Sequence, residues 1–258
     1  MKLLASASGI AFSAFAATGA YANGTTAGSS IVNNVTVNYQ VGGVGQTAIN
    51  ASNTITVDRK ITLTVAEAGT TTTTVAPGQT AAVTTFVVTN TSNDVLDFGL
   101  AASQQVGGTG PHGGTDNFDV AASALFVDTN GNGVYDVGTD LAAAFLDEVA
   151  ADTSRTVFYV ANIPAGQANG SVAVVGLTAQ AREAGVAGTQ GAIVTATVGA
   201  NTAAEDTVFG DAAGTVTGDL LYDGRAWGRD DYTVAAAALT VVKTSRPISD
   251  PFNGTTNP

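Results

Sequence analysis

The nonapeptide Asp128-Thr129-Asn130-Gly131-Asn132-Gly133-Val134-Tyr135-Asp136 holds the residues whose spacing most resembles a binding site. Oxygen-bearing side chains fall at its positions 1, 3, 5 and 9, with glycine at 6. In a tight loop that register aims several oxygens at one hard cation, and the glycine allows the sharp bend. The chemistry it predicts is structural calcium binding. Asp128, Asn130, Asn132 and Asp136 are the side-chain candidates. With two firm carboxylates the expected affinity is modest, about 10⁻⁴–10⁻³ M. The competing reading is a polar turn, which the same residue types favour without metal.

Other chemistry finds little support. The chain of 258 residues has no cysteine and one histidine, His112. Thiolate chemistry and disulfides are therefore excluded, and histidine-rich zinc sites with them. His112 lies among five glycines between Gly107 and Thr115 and is expected to be an exposed loop residue. The sequence contains no G-x-S-x-G elbow and no phosphate-cradling loop. Asp206, Asp211, Asp219, Asp223, Asp230 and Asp231 read as a solvated acidic loop. Tyr222 and Trp227 beside them leave a carbohydrate-binding surface as the alternative function, with a surface polysaccharide as partner. An enzyme is not expected.

Acidic residues outnumber basic ones 21 to 9, for a net charge of −12. Nucleic acid and anionic membrane surfaces, which need clustered Lys or Arg, are unsuitable partners. Only 12% of residues are charged and 45% are hydrophobic, a balance that favours a folded core over disorder.

Residues 1–22 resemble a secretory signal peptide. Lys2 precedes an apolar run to Ala17, and Ala20-Tyr21-Ala22 fits the cleavage pattern. Export to the cell surface or medium follows, with no transmembrane segment in the mature chain.

The loop must be carried by strands. Val35, Val37, Tyr39 and Val41 alternate with polar residues, as do Ile55, Val57, Ile61, Leu63 and Val65 around Asp58-Arg59-Lys60. Strands are also predicted over 81–89, 96–100, 124–127, 156–160, 172–179, 193–198 and 232–242. Thr70 to Thr74 reads as an exposed loop or edge. Leu141, Phe145 and Val149 lie at helical spacing, so 141–151 is a short helix or a β-excursion. Residues 201–231 read as loop.

Roughly nine or ten short strands between turn clusters predict an all-β protein, an immunoglobulin-like Greek-key β-sandwich. The expected organisation is a hairpin over 23–54 packed on a sandwich over 55–244, then a flexible tail over 245–258. Leu239-Thr240-Val241-Val242-Lys243 echoes Ile55-Thr56-Val57-Asp58-Arg59-Lys60, as the opening strand of an incomplete repeat. Self-association through terminal strands is the expectation drawn from it.

Val75-Ala76-Pro77-Gly78-Gln79-Thr80 with Thr85-Phe86-Val87-Val88-Thr89-Asn90-Thr91 resembles the signature of a bacterial conserved-repeat domain of large surface proteins. Leu125 to Asp136 resembles the calcium loop of the B repeats of serine-aspartate-type surface adhesins. The second resemblance implies Asp128, Asn130, Asn132 and Asp136 as ligands, with the Val134 carbonyl as a further one. Those repeats usually place an acid three residues after the final Asp. Here that position is Thr139, and Asp140 follows it. Asp140 or water would then complete the shell. Together the resemblances imply a secreted, calcium-stabilised structural or adhesive protein.

Overall fold

Strict alternation along Ala82–Asn90 places Ala82, Phe86 and Val88 on one face and leaves the residues between them half-covered. That strand lies near the centre of the molecule. A computed structural model describes residues 24–199, 201–214, 219–237 and 241–245. The signal-peptide reading, Leu239-Thr240 and nearly all of the tail lie outside them.

In chain order the strands are β1 (Ser30–Val37), β2 (Gln40–Val41), β3 (Val44–Gly45), β4 (Ile49–Thr56), β5 (Arg59–Ile61), β6 (Leu63–Glu67), β7 (Thr73–Val75) and β8 (Ala82–Asn90). They continue as β9 (Leu96–Gln104), β10 (Ala121–Val127), β11 (Leu141–Ala142), β12 (Phe145–Val149), β13 (Ser154–Asn162), β14 (Val172–Glu183), β15 (Thr207–Phe209) and β16 (Arg225–Val234).

Two five-stranded sheets, β11-β10-β13-β8-β6 and β12-β9-β14-β16-β7, form a β-sandwich. The chain crosses between them at every step from β6 to β10 and again at every step from β11 to β14. Phe86, Val88, Val157 and Tyr159 from one sheet join Leu96, Phe98, Leu177, Ala179 and Tyr232 from the other in one core. Tyr232 donates its hydroxyl to the Tyr159 carbonyl at 3.0 Å, so the sheets are also hydrogen-bonded through the core.

Several expectations are corrected. Residues 141–151, whose spacing allows a short helix or a β-excursion, form β11 and β12. A register shift between Leu146 and Val149 sends both side chains inward three residues apart, and Glu148 takes a positive φ of 42°. A bulge therefore brings Leu146 and Val149 to the core, while of the residues at helical spacing Leu141 is exposed and Phe145 half-buried. Residues 193–198 form only a bridge from Ile193 to Arg182. β16 holds that side of β14 as far as Gln180, so only Ala181–Glu183 lie beyond it; there the Glu183 amide donates to the Ala192 carbonyl and the Val194 amide to the Ala181 carbonyl, too short a run for a strand. Residues 225–231, read as loop, open β16; pairing with β14 imposes extension on a stretch poor in β-branched residues. The last sandwich strand thus ends at Val234, not Val242. Thr73–Val75 is an edge strand, parallel to β16.

The N-terminal hairpin forms, but it does not pack on the sandwich. β1 and β4 pair over eight residues each, and apart from Thr56 all of them are exposed.

Asn90, Ser92 and Asn93, between β8 and β9, are buried and satisfied. Asn90 donates to the Asp94 and Val149 carbonyls, both at 2.8 Å, and accepts the Ser92 amide. Ser92 bonds both the amide and the carbonyl of Thr62. Asn93 donates to the Thr25 and Asp58 carbonyls and accepts the Lys60 amide. Replacing Asn90 by Ala strands three backbone partners, and the expected loss is roughly 3 kcal/mol in a denaturant titration. A loss below about 0.5 kcal/mol contradicts this role.

Candidate metal-binding loop and a histidine–carboxylate cluster

The nonapeptide loop leaves the sandwich at the end of β10 and is pinned at both ends. The Asp128 amide donates to the Thr156 carbonyl of β13 at 3.1 Å. Tyr135 packs its ring on Phe126 and Phe158, with centroids 4.8 and 5.8 Å away. That contact covers the outer side of β13 and helps bury Phe158 completely.

Within the loop the predicted residues converge. Asp136 Oδ2 accepts the side-chain amides of Asn130 at 2.9 Å and Asn132 at 2.6 Å. These two bonds, that from Asn130 foremost, hold the Asp136 carboxyl below its usual range. Asp128 Oδ1 accepts the Gly131 and Asn132 amides, and Oδ2 accepts that of Gly133. Asn130 and Asn132 each accept the amide two residues on. Gly131 and Gly133 take φ of 70° and 74°, the left-handed backbone that lets the loop bend. Val134 lies in the same turn with its side chain exposed.

Side-chain oxygens that accept one backbone amide keep a second lone pair. Rotating the two asparagine amides would replace N–H donors with oxygens around Asp136. The resulting all-oxygen donor set fits a hard cation.

Asp140, not Thr139, brings the last carboxylate to the loop. It is buried, and its oxygens accept the Thr129 amide at 3.1 Å and the Asp136 amide at 2.7 Å. It therefore clasps both ends of the nonapeptide.

A second cluster was not legible as a site. His112 is part-buried, with a side chain only 15% exposed, which corrects the exposed-loop reading. Its Nε2 lies 3.2 Å from Glu67 Oε2, at the end of β6. Its Nδ1 lies 3.4 Å from Asp231 Oδ1 and 3.6 Å from Asp230 Oδ1, both on β16. The His112 amide donates to Asp231 Oδ2 at 3.1 Å. Gly110 must be glycine for this approach, since a Cβ there would stand 2.6 Å from Asp231 Oδ2. Burial foremost pushes the Asp230 carboxyl up to about 7, and it also raises that of Glu67.

The late aspartates are not solvated. Asp206, Asp211, Asp219, Asp230 and Asp231 are all buried. Asp206 accepts the Thr202 amide, Asp211 that of Asp223, and Asp219 that of Gly214. Tyr222 is exposed in the turn before β16, while Trp227 is half-buried beside Gly176, with its Nε1 buried.

No protein-family model matches the chain, and no curated protein matches it. Among the described residues no helix is long and apolar enough to cross a membrane.

Replacing Asp140 by Ala leaves the Thr129 and Asp136 amides without their acceptor. In chelator, where metal cannot mask the effect, the variant should lose about 1–3 kcal/mol in chemical denaturation. Unchanged stability would remove the clasp from the account.

Proposed function

We propose that this chain is an exported, calcium-stabilised, non-catalytic β-sandwich of the bacterial cell surface, which assembles with copies of itself through the β1–β4 ribbon. The ribbon carries the reading. Cross-strand partners share a face, so Ile31–Ile55, Val35–Ala51 and Val37–Ile49 lie on one side, interrupted by Asn33–Asn53. Ser30–Thr56, Asn34–Ser52 and Thr36–Asn50 lie on the other, with Val32–Thr54.

The apolar face is uncovered: Ile31, Val35, Val37, Ile49 and Ile55 are between 39% and 58% exposed. An isolated two-stranded ribbon is marginal in water, and a contiguous apolar face marks an interaction surface. A second copy is the fitting occupant. Residues 23–57 contain no charged side chain in a protein of net charge −12. Two ribbons can therefore meet without the repulsion that separates the acidic bodies. Uncharged, proline-free β-strands are also suited to strand-on-strand packing.

The signal-like start and the likeness to surface-repeat sequences support placement outside the cell. The convergent oxygen loop supports calcium as a structural ion. With a dissociation constant of about 0.1 mM, about 1 mM calcium stabilises the fold by roughly 1.4 kcal/mol.

Two outcomes are expected. Calcium added after chelation raises Tm by about 4 °C, and Asp128→Ala combined with Asp136→Ala removes the rise; a double variant that responds like wild type refutes the ligand set. In sedimentation velocity the wild type forms concentration-dependent oligomers. Val35→Lys with Ile49→Lys leaves monomers, while Thr54→Lys on the opposite face does not. A wild type that stays monomeric, or a double-Lys variant that assembles normally, ends the ribbon reading.

A further inference from the structure

The histidine–carboxylate cluster has the makings of a metal centre separate from the nonapeptide loop. Among the described residues, one ligand atom each from Glu67, His112 and Asp230 lie within 4.8 Å of one another. The Nε2–Oε2 separation of 3.2 Å is close to the edge of a tetrahedron with metal bonds of about 2.0–2.1 Å, roughly 3.3 Å, while Asp230 Oδ1, now 3.6 Å from Nδ1, would swing toward Nε2 to join it.

A second observation points to a missing partner. Glu67 Oε1 is buried and makes no hydrogen bond. Leaving a carboxylate oxygen dry and unpaired is costly, and a cation is the partner that removes that cost. Three carboxylates, from Glu67, Asp230 and Asp231, surround one imidazole.

The surroundings are built around these groups. β7 pairs with β16 only from Tyr232 onward, so Asp230 and Asp231 stand where the strand edge opens. The glycine-rich loop closes over this opening: a Cβ at Gly114 would press on Val172 and one at Gly110 on Val174. Asp231 is fully buried and takes both the His112 backbone amide and, at 3.4 Å, the side of the ring that carries Nδ1. A carboxylate placed behind a ligating imidazole fixes its tautomer and orientation.

We propose that Glu67, His112 and Asp230 form a second metal site, one that takes a zinc-class divalent ion, with Asp231 as the residue that positions the imidazole. A nitrogen donor beside two carboxylates selects a borderline transition ion over calcium, whose ligands are oxygens. The site depends on neither the ribbon nor the calcium loop.

The test uses the full chain without a histidine tag, stripped with chelator and then held in millimolar calcium to occupy the oxygen loop. Zinc is titrated by calorimetry, and [15N]histidine-labelled protein is followed by NMR as cobalt is added. Since the chain has one histidine, its imidazole signal is unambiguous. Expected are one zinc per chain with a dissociation constant on the order of 1 µM and a paramagnetically shifted imidazole. His112→Gln should abolish binding, Asp231→Asn should weaken it roughly 10–100-fold, and Asp128→Ala should leave it intact. Absence of zinc binding overturns the proposal. So does binding that leaves the imidazole signal unmoved, or binding that survives His112→Gln. If His112→Gln does not fold, the imidazole signal of the wild type decides alone.

Discussion

The sandwich depends on a buried polar knot at the turn between β8 and β9. Asn90, Ser92 and Asn93 sit where backbone from five other places converges: Thr25, the start of β5, Thr62, Asp94 and the end of β12. Each of those segments would otherwise bring peptide groups out of water without partners, at a cost comparable to a lost hydrogen bond apiece. A chain with no cysteine has no covalent staple there. Three short side chains, each donating and accepting, take that place and join the two sheets at one end.

The same device recurs through the loops with carboxylates instead of amides. Asp97 accepts the Glu148 and Gly191 amides, and Asp116 those of Gly107 and Val174. Asp140 and the late aspartates do likewise. A buried carboxylate that accepts backbone amides is a strong, charge-assisted anchor. Much of the acidic excess therefore lies inside, pinning long connections to the sheets. Glu67 and Asp211 each keep one buried carboxylate oxygen, Oε1 and Oδ1, without a donor.

Charge is also distributed unevenly along the chain. The ribbon is neutral and half apolar, and the body is acidic. Such a division keeps the bodies apart while it permits contact between ribbons. In the proposed assembly the calcium loop and the histidine cluster serve the body, and the ribbon serves the lattice.

The sequence by itself determined the fold class, because alternation and turn residues are local signals. It also determined which oxygen-bearing side chains meet in the nonapeptide loop, since they lie within nine consecutive positions. The tertiary structure alone decided what depends on distant partners. The stretch with Leu141, Phe145 and Val149 at helical spacing became two strands through pairing with β10 and β9. The strand at 225–231 exists because β14 offered it an edge, and the one expected at 193–198 is limited to a bridge at Ile193 because β16 holds that edge as far as Gln180. His112 looked exposed because its partners stand 45 positions before and 118–119 after it, 112 − 67, 230 − 112 and 231 − 112. Whether the ribbon's apolar face was covered was likewise undetermined, since alternation shows that a strand has two faces and not what lies against either.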